Sequence, residues 1–232
     1  DNYFLGHNKT VHEMTLSLAS SSPDIIVYPE DTRYLVYLPK EQREALSVTF
    51  PKTLIVDGVT TLIDGKNANA SYLYSTERRV ATQWGKSFLL PFNEYIPYFF
   101  RPFFSLFVPE DQMDDYLSNH TYAPIYSSKT TTFNGLTVGT LLCSEMLSHS
   151  TIREVGDEDP SLVFFQSHLN VFHDNPLAWA ILYSATKVAA AQLRRPIISS
   201  INSAPSFIVS PHGRVIATLP TGFSTSTYTF SK

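Results

Sequence analysis

The sequence predicts an α/β protein, or a layered α+β one, on three observations. Apolar runs of strand length alternate with helical patterns along the 232 residues. Several of those runs are almost wholly apolar, as in strands buried on both faces. The segment Leu177 to Arg194 is rich in alanine, long enough for the principal helix, and ends in basic residues that suit a helix C-terminus.

The elements follow in order. Val11 to Ser20, carrying Met14, Leu16 and Leu18, reads as a helix stopped by Ser21-Ser22-Pro23. Asp24 to Tyr28 is a short apolar strand. Leu54 to Val59, Ser71 to Tyr74 and Arg79 to Trp84 are further strands, with Asp57-Gly58 and Asp64-Gly65 expected as turns. Leu136 to Cys143 is an apolar strand with the cysteine at its C-terminal end, and Ser161 to Ser167 is the next. Pro196 to Ile201, Ser206 to Val209 and Val215 to Thr218 close the chain as strands, Pro211-His212-Gly213 turning between the last two. No internal repeat or low-complexity linker interrupts this order, so residues 1–232 read as one domain.

Composition narrows the function. A formal net charge of −4, with no Lys/Arg block, argues against nucleic acid as the main partner. One cysteine excludes an internal disulfide and any multi-cysteine metal site. His168 and His173 are poorly spaced for a metal, so no metal is expected. No run of about 20 apolar residues is present to span a bilayer. The first ten residues carry no signal-peptide pattern. Asn-x-Ser/Thr triplets at Asn8, Asn69 and Asn119 are of a kind that chance often produces.

Three residues carry candidate chemistry. Glu30 follows an apolar strand and a proline, where poor solvation raises a carboxyl pKa and suits a general base. A solvated loop glutamate is the plain alternative. Lys86, after Trp84-Gly85 and before an apolar run, supplies a cation that could lower a thiol pKa or steady an oxyanion; the alternative is a surface lysine. Cys143 is either a small buried hydrophobe or a nucleophile. Behind it, a sharp turn would aim the Ser144 backbone N–H at an oxyanion, and Glu145 would bring a second carboxylate near the sulfur. His149 is a rival partner for the thiol. Between Phe92 and Phe107 lie six phenylalanines, with Tyr95 and Tyr98 among them, broken by Pro97 and Pro102. That run is either core or a partly exposed loop meeting acyl chains or a bilayer interface.

Tyr28-Pro29-Glu30, Lys86 followed by Leu90-Pro91-Phe92-Asn93-Glu94-Tyr95-Ile96-Pro97, and Cys143-Ser144-Glu145 together resemble the nitrilase (carbon–nitrogen hydrolase) superfamily. The Pro-Phe-x-Glu-Tyr-x-Pro element is similar to its apolipoprotein N-acyltransferase branch. The resemblance runs from about Val11 to Thr229. It implies a four-layer αββα sandwich, a catalytic triad of Glu30, Lys86 and Cys143, and supporting roles for Glu94, Glu145 and Ser144. It also implies an acyl-chain-facing or membrane-facing set at Tyr95, Tyr98, Phe99, Phe100, Phe103 and Phe104, and no cofactor.

The implied reaction moves a fatty acyl group from a phospholipid donor, through a Cys143 thioester, to the N-terminal amine of a lipoprotein. Its expected place is the periplasmic face of a bacterial cytoplasmic membrane. The membrane helices of that branch, normally upstream, are absent from these 232 residues, so an excised or divergent extracytoplasmic domain is expected. The chain departs from the pattern at Asn93, at Asn170 to Asn175 and at Ala189-Ala190-Ala191-Gln192. A soluble amidase of the same superfamily and a non-catalytic domain that keeps the fold are the alternatives.

Overall fold

The computed structural model describes residues 2–63, 65–100, 122–173 and 175–222, and singly 102, 107, 109, 112, 224, 225, 227, 228 and 229. Phe103 and Phe104, expected to face acyl chains, lie outside the described residues, as do Asp64, Asp174 and Asn119. Among the described residues, strands β1 (Ile25–Val27), β2 (Leu54–Ile63), β3 (Lys66–Ser75) and β4 (Val80–Gly85) form one sheet in that order, with β1 and β2 parallel. Strands β5 (Thr130–Phe133), β6 (Leu136–Leu142), β7 (Leu162–His168), β8 (Ile197–Asn202), β9 (Ser206–Val209) and β10 (Val215–Leu219) form the second, ordered β10-β9-β8-β7-β6-β5. Its centre, β6, β7 and β8, is parallel.

The two-residue period of the strands builds the layers. Leu54 and Val56 of β2 face an inner apolar layer with Val138, Leu162 and Phe164 from the other sheet. Ile55, between them, turns outward against Tyr34, Leu35, Leu46 and Phe50. Those residues come from α2 (Tyr34–Tyr37), α3 (Lys40–Thr49) and the residue after it, and α1 (Asn2–Ser17) adds Val11 to the same cluster. On the far side, Val163 and Phe165 of β7 pack outward with α4 (His149–Asp157) and α5 (Pro176–Leu193), through Ile152, Val155, Leu182, Ala189 and Ala190. Helices, sheet, sheet, helices: the chain is the four-layer αββα sandwich. Each fully buried Phe or Leu in these layers contributes roughly 1.5–3 kcal/mol.

Local chemistry sets the element ends. Asn175 caps α5 by accepting the Leu177 N–H, with Pro176 at the first helical position. Arg194 then ends it in a left-handed conformation. Inside the sandwich, Ser71 Oγ lies 2.8 Å from Thr140 Oγ1 and donates to Gln166 Oε1 at 2.6 Å. Gln166 Nε2 donates to the Tyr28 carbonyl at 2.7 Å. This buried polar chain joins the two sheets two residues before Glu30.

The turn expected at Asp57-Gly58 is not there. Both residues lie inside β2, and Asp57 is fully buried, its Oδ2 accepting the Leu35 N–H at 2.8 Å. Burial pushes its carboxyl up to about 7. Gly58 is needed for close approach instead: a Cβ there would stand 2.5 Å from Glu30 Cα and 2.6 Å from the Pro29 carbonyl. Gly65, at φ +75°, does turn the chain between β2 and β3. Among the described residues, no helix is long and apolar enough to cross a membrane.

Candidate active site

Four strand ends meet at one place. Glu30 follows β1, Lys86 follows β4, Cys143 follows β6 and His168 ends β7. In a sheet with parallel strands, the carboxyl ends are where connections diverge and leave a crevice. Here that crevice is a cavity of about 180 Å³, whose wall includes Glu30, Lys86, Glu94 and Cys143. Asp31, Arg33, Tyr122 and His168 border it as well.

Lys86 Nζ sits between two carboxylates, 3.4 Å from Glu30 Oε1 and 2.8 Å from Glu94 Oε1. All three side chains are buried. Burial alone would lower the Lys86 pKa, but Glu30 first, then Cys143 and Glu94, hold the ammonium above its ordinary range. Glu30 goes up, because burial outweighs the pull of Lys86. Its second oxygen accepts the His168 backbone N–H at 3.1 Å. Glu94 is fixed independently, accepting from Asn69 Nδ2 at 2.8 Å and from the Leu90 N–H at 2.6 Å.

Cys143 opens a 3₁₀ turn, Cys143–Leu147, directly after β6. Its φ is 42°, in the left-handed region, which costs a residue with a Cβ roughly 1–2 kcal/mol. Strain of this kind persists where the surroundings over-determine it. The thiol is pushed up to about 12, by burial first and then by the Glu30 charge, with Lys86 opposing. The resting sulfur is therefore a thiol at neutral pH, and any attack by it would require a base in the same cavity. Ser144 is buried and its hydroxyl donates to the Phe88 carbonyl at 2.7 Å, tying this turn to the segment after Lys86.

Glu145 does not reach into the cavity. It is a buried clamp behind the cysteine: Oε1 accepts from the Ser87 N–H (2.6 Å), Ser87 Oγ (2.9 Å) and Lys129 Nζ (2.8 Å), and Oε2 accepts from the Leu142 N–H (2.9 Å). Lys129 also donates to the Gly85 carbonyl at 2.5 Å. One ion pair thus fixes the Cys143 turn to the strand end that carries Lys86. Lys129→Met would leave a buried carboxylate unpaired, a loss of roughly 3–5 kcal/mol. Urea unfolding of Lys129→Met and of Lys129→Met/Glu145→Gln checks this. The second change should recover part of the loss, and a double variant no more stable than the single would contradict the pairing.

Of the residues singled out in the sequence, Glu30, Lys86, Cys143 and Glu94 line the cavity, whereas Asn69 and His168 beside them and Lys129 against Glu145 were not singled out. Lys129 sits in a polar Ser-Ser-Lys-Thr-Thr run that carries no signal. Asn69, read only as part of a chance Asn-x-Ser triplet, lines the cavity and holds Glu94. His168, read only as poorly spaced from His173 for a metal, borders the cavity. His149, the rival thiol partner, is exposed at the start of α4 beside Gln192. Of the aromatic run, Tyr98 and Phe99 are each 85% exposed, and Phe92 and Phe100 are exposed too. Tyr95 is half-buried. No group of three potential metal ligands occurs among the described residues.

Two sheets faced by helices in an αββα sandwich give the nitrilase type of fold. Solved structures agree on the fold. Nit3 of Saccharomyces cerevisiae, a member of branch 10 of the nitrilase superfamily, superposes with a TM-score of 0.66 at 15% identity, covering 95% of this chain and 82% of that one. An amidase from Nesterenkonia sp. gives 0.63 at 11%, covering 94% and 81%. In sequence, the chain is similar to apolipoprotein N-acyltransferases. It is 27% identical to that of Aquifex aeolicus (strain VF5) over 216 residues, 90% of this chain and 46% of the relative. It is 25% identical to apolipoprotein N-acyltransferase 2 of Treponema denticola, over 91% of this chain and 42% of the relative. The chain thus spans less than half the length of these relatives. No family model matches it.

Proposed function

We propose that residues 1–232 act as one acyltransferase domain. It would move a fatty acyl group from a phospholipid through a Cys143 thioester to the N-terminal amine of a lipoprotein, at the periplasmic face of a bacterial cytoplasmic membrane. The observation that carries the reading is a thiol, a carboxylate and an ammonium on one cavity wall, beside a segment exposing Phe92, Tyr98, Phe99 and Phe100. Similarity to acyltransferases along nine-tenths of the chain supports the choice of reaction.

In the first half-reaction, Glu30 takes the thiol proton as Cys143 Sγ attacks the ester carbonyl carbon. Because the thiol is pushed up to about 12, proton removal accompanies attack rather than preceding it. The oxyanion is met by the Lys86 ammonium and the Ser144 backbone N–H. Collapse breaks the ester C–O bond, Glu30 returns its proton to the departing alkoxide, and a lysophospholipid leaves. The acceptor nitrogen then attacks the thioester carbon, the C–S bond breaks, and the sulfur regains a proton by way of Glu30. Exposed aromatic side chains suit the interfacial zone of a bilayer and would carry the alkyl chain beside the polar cavity.

The test is an incubation of the protein with phospholipid and a diacylated lipopeptide. Acylated peptide and lysophospholipid should appear in equal amounts. Free fatty acid without acylated peptide would reject transfer in favour of hydrolysis, and a folded protein that forms no covalent adduct would reject catalysis.

A further inference from the structure

The proposed transfer leaves Glu30 holding a proton that it must lose before the next cycle. An α-amino group has a pKa near 7.7–8.0, so at neutral pH much of the acceptor arrives as ammonium. That ammonium carries three N–H protons, and the amide product keeps one. Of the two that leave, one returns to the Cys143 sulfur through Glu30 as the C–S bond breaks. Lys86 is already protonated and held so by two carboxylates. The other proton would stay on the buried Glu30 unless a second acceptor, close to the thioester and open to water, takes it and leaves Glu30 a carboxylate.

We propose that His168, with Asp31 behind it, is the base that takes the first proton from the acceptor ammonium. The inference rests on the acyl-transfer reading and names its second proton acceptor. His168 ends β7 and borders the same cavity as Cys143 and Glu30. Its side chain is 24% exposed, unlike those of Glu30 and Lys86, so a proton on the ring has a way out. Its backbone N–H holds Glu30 Oε2, which keeps the ring and the first base on adjoining parts of the wall.

Asp31 is positioned for the imidazolium that results. His168 Nδ1 lies 3.8 Å from Asp31 Oδ2, and the other Asp31 oxygen is engaged by Arg33 Nε at 2.5 Å. Arg33 in turn donates to Thr60 Oγ1 at 3.2 Å. Both Asp31 and Arg33 hold left-handed backbone conformations, φ 63° and 55°, so the loop presenting them is built rather than relaxed. The ring feels Asp31 and Arg33 from this loop, and Glu30 touches its backbone amide. Glu94, Lys86 and Cys143 complete the charged or titratable groups of the surrounding wall, with Tyr122. Burial, the leading influence, moves the imidazole below its ordinary range, so it is neutral and able to accept at pH 7. With the sulfur acylated, three carboxylates face two cations around the cavity, a balance that favours a cationic acceptor.

The test separates the two half-reactions. Protein is acylated from dioleoyl phosphatidylglycerol vesicles, and thioester formation is followed by intact mass. Diacylated lipopeptide is then added, and aminolysis is timed between pH 6 and pH 9. In His168→Gln, aminolysis relative to acylation should fall by about tenfold at pH 7, where roughly a tenth of such an amine is already free. The deficit should shrink to roughly threefold at pH 9, where the amine has already lost its proton. Asp31→Asn should show the same pattern at smaller amplitude. A loss independent of pH, or an equal loss in both half-reactions, would overturn the inference and leave His168 a packing role. If wild-type protein transfers and His168→Gln transfers equally at pH 7, the inference alone falls. If wild-type protein forms no acylated peptide, the transfer reading falls and takes it down too.

Discussion

Replacing Cys143 with alanine is expected to abolish acyl-enzyme formation while leaving the fold in place. The thioester route needs the sulfur as the attacking atom, and no neighbour on the cavity wall offers a comparable nucleophile. The expected loss is at least about 10⁴-fold in acyl transfer, the scale on which covalent catalysis fails when its nucleophile is removed. The structural cost is small. Truncation deletes one buried heavy atom, roughly 1 kcal/mol. Alanine keeps a Cβ at φ 42°, so the backbone strain is the same in both proteins. For a chain of this size that cost lowers the melting temperature by about 2–4 °C. Intact mass after incubation with phospholipid should show one added acyl group on the wild type and none on Cys143→Ala. An acylated alanine variant, or a variant that still transfers, would remove Cys143 from the chemistry.

What the sequence made legible, and what it hid, divides along physical lines. The strands were legible because burial on both faces demands apolar runs, which β1, the end of β6 and the start of β7 supply. Cys143 stood out at the end of β6, whereas Glu30 and Lys86 stood out through the resemblance carried by Tyr28-Pro29-Glu30 and the segment from Lys86 to Pro97. The helices α2, α3 and α4 were not. α2 is a single turn, α3 is largely polar with Leu46 as its main anchor, and α4 begins in a His-Ser-Thr stretch that reads as loop. Asp57-Gly58 carries the signature of a turn, yet the glycine is there because the Glu30 backbone passes where its side chain would be. Contacts between segments far apart in sequence leave no local trace. Lys129 meets Glu145 across 16 residues, Asn69 meets Glu94 across 25, and the His168 amide meets Glu30 across 138.

Lys86→Met should separate the two duties of the central cation, because they respond to pH in opposite ways. Removing the ammonium leaves Glu30 and Glu94 buried without their shared partner, a destabilisation of roughly 3–5 kcal/mol at neutral pH. In the wild type, Lys86 titrates above its ordinary value of 10.5. Its contribution is therefore complete below about pH 10.5 and is lost only as pH rises through the folded-state value, so it gives no slope between pH 5 and 9. In the variant, Glu30 loses the largest influence opposing burial and its carboxyl rises further above 4.5. A folded state that binds this proton more tightly than the unfolded chain gains stability as pH falls toward 4.5. The gap in urea midpoint between the two proteins should thus be widest at pH 8 and narrow steadily by pH 5. Acyl-enzyme formation should be lost by about 10³-fold and should not return at pH 5, since a protonated Glu30 cannot accept the thiol proton. A stability gap that stays constant or widens on acidification would show that Lys86 does not compensate Glu30. Activity recovering alongside stability would show that its only duty is to hold the fold.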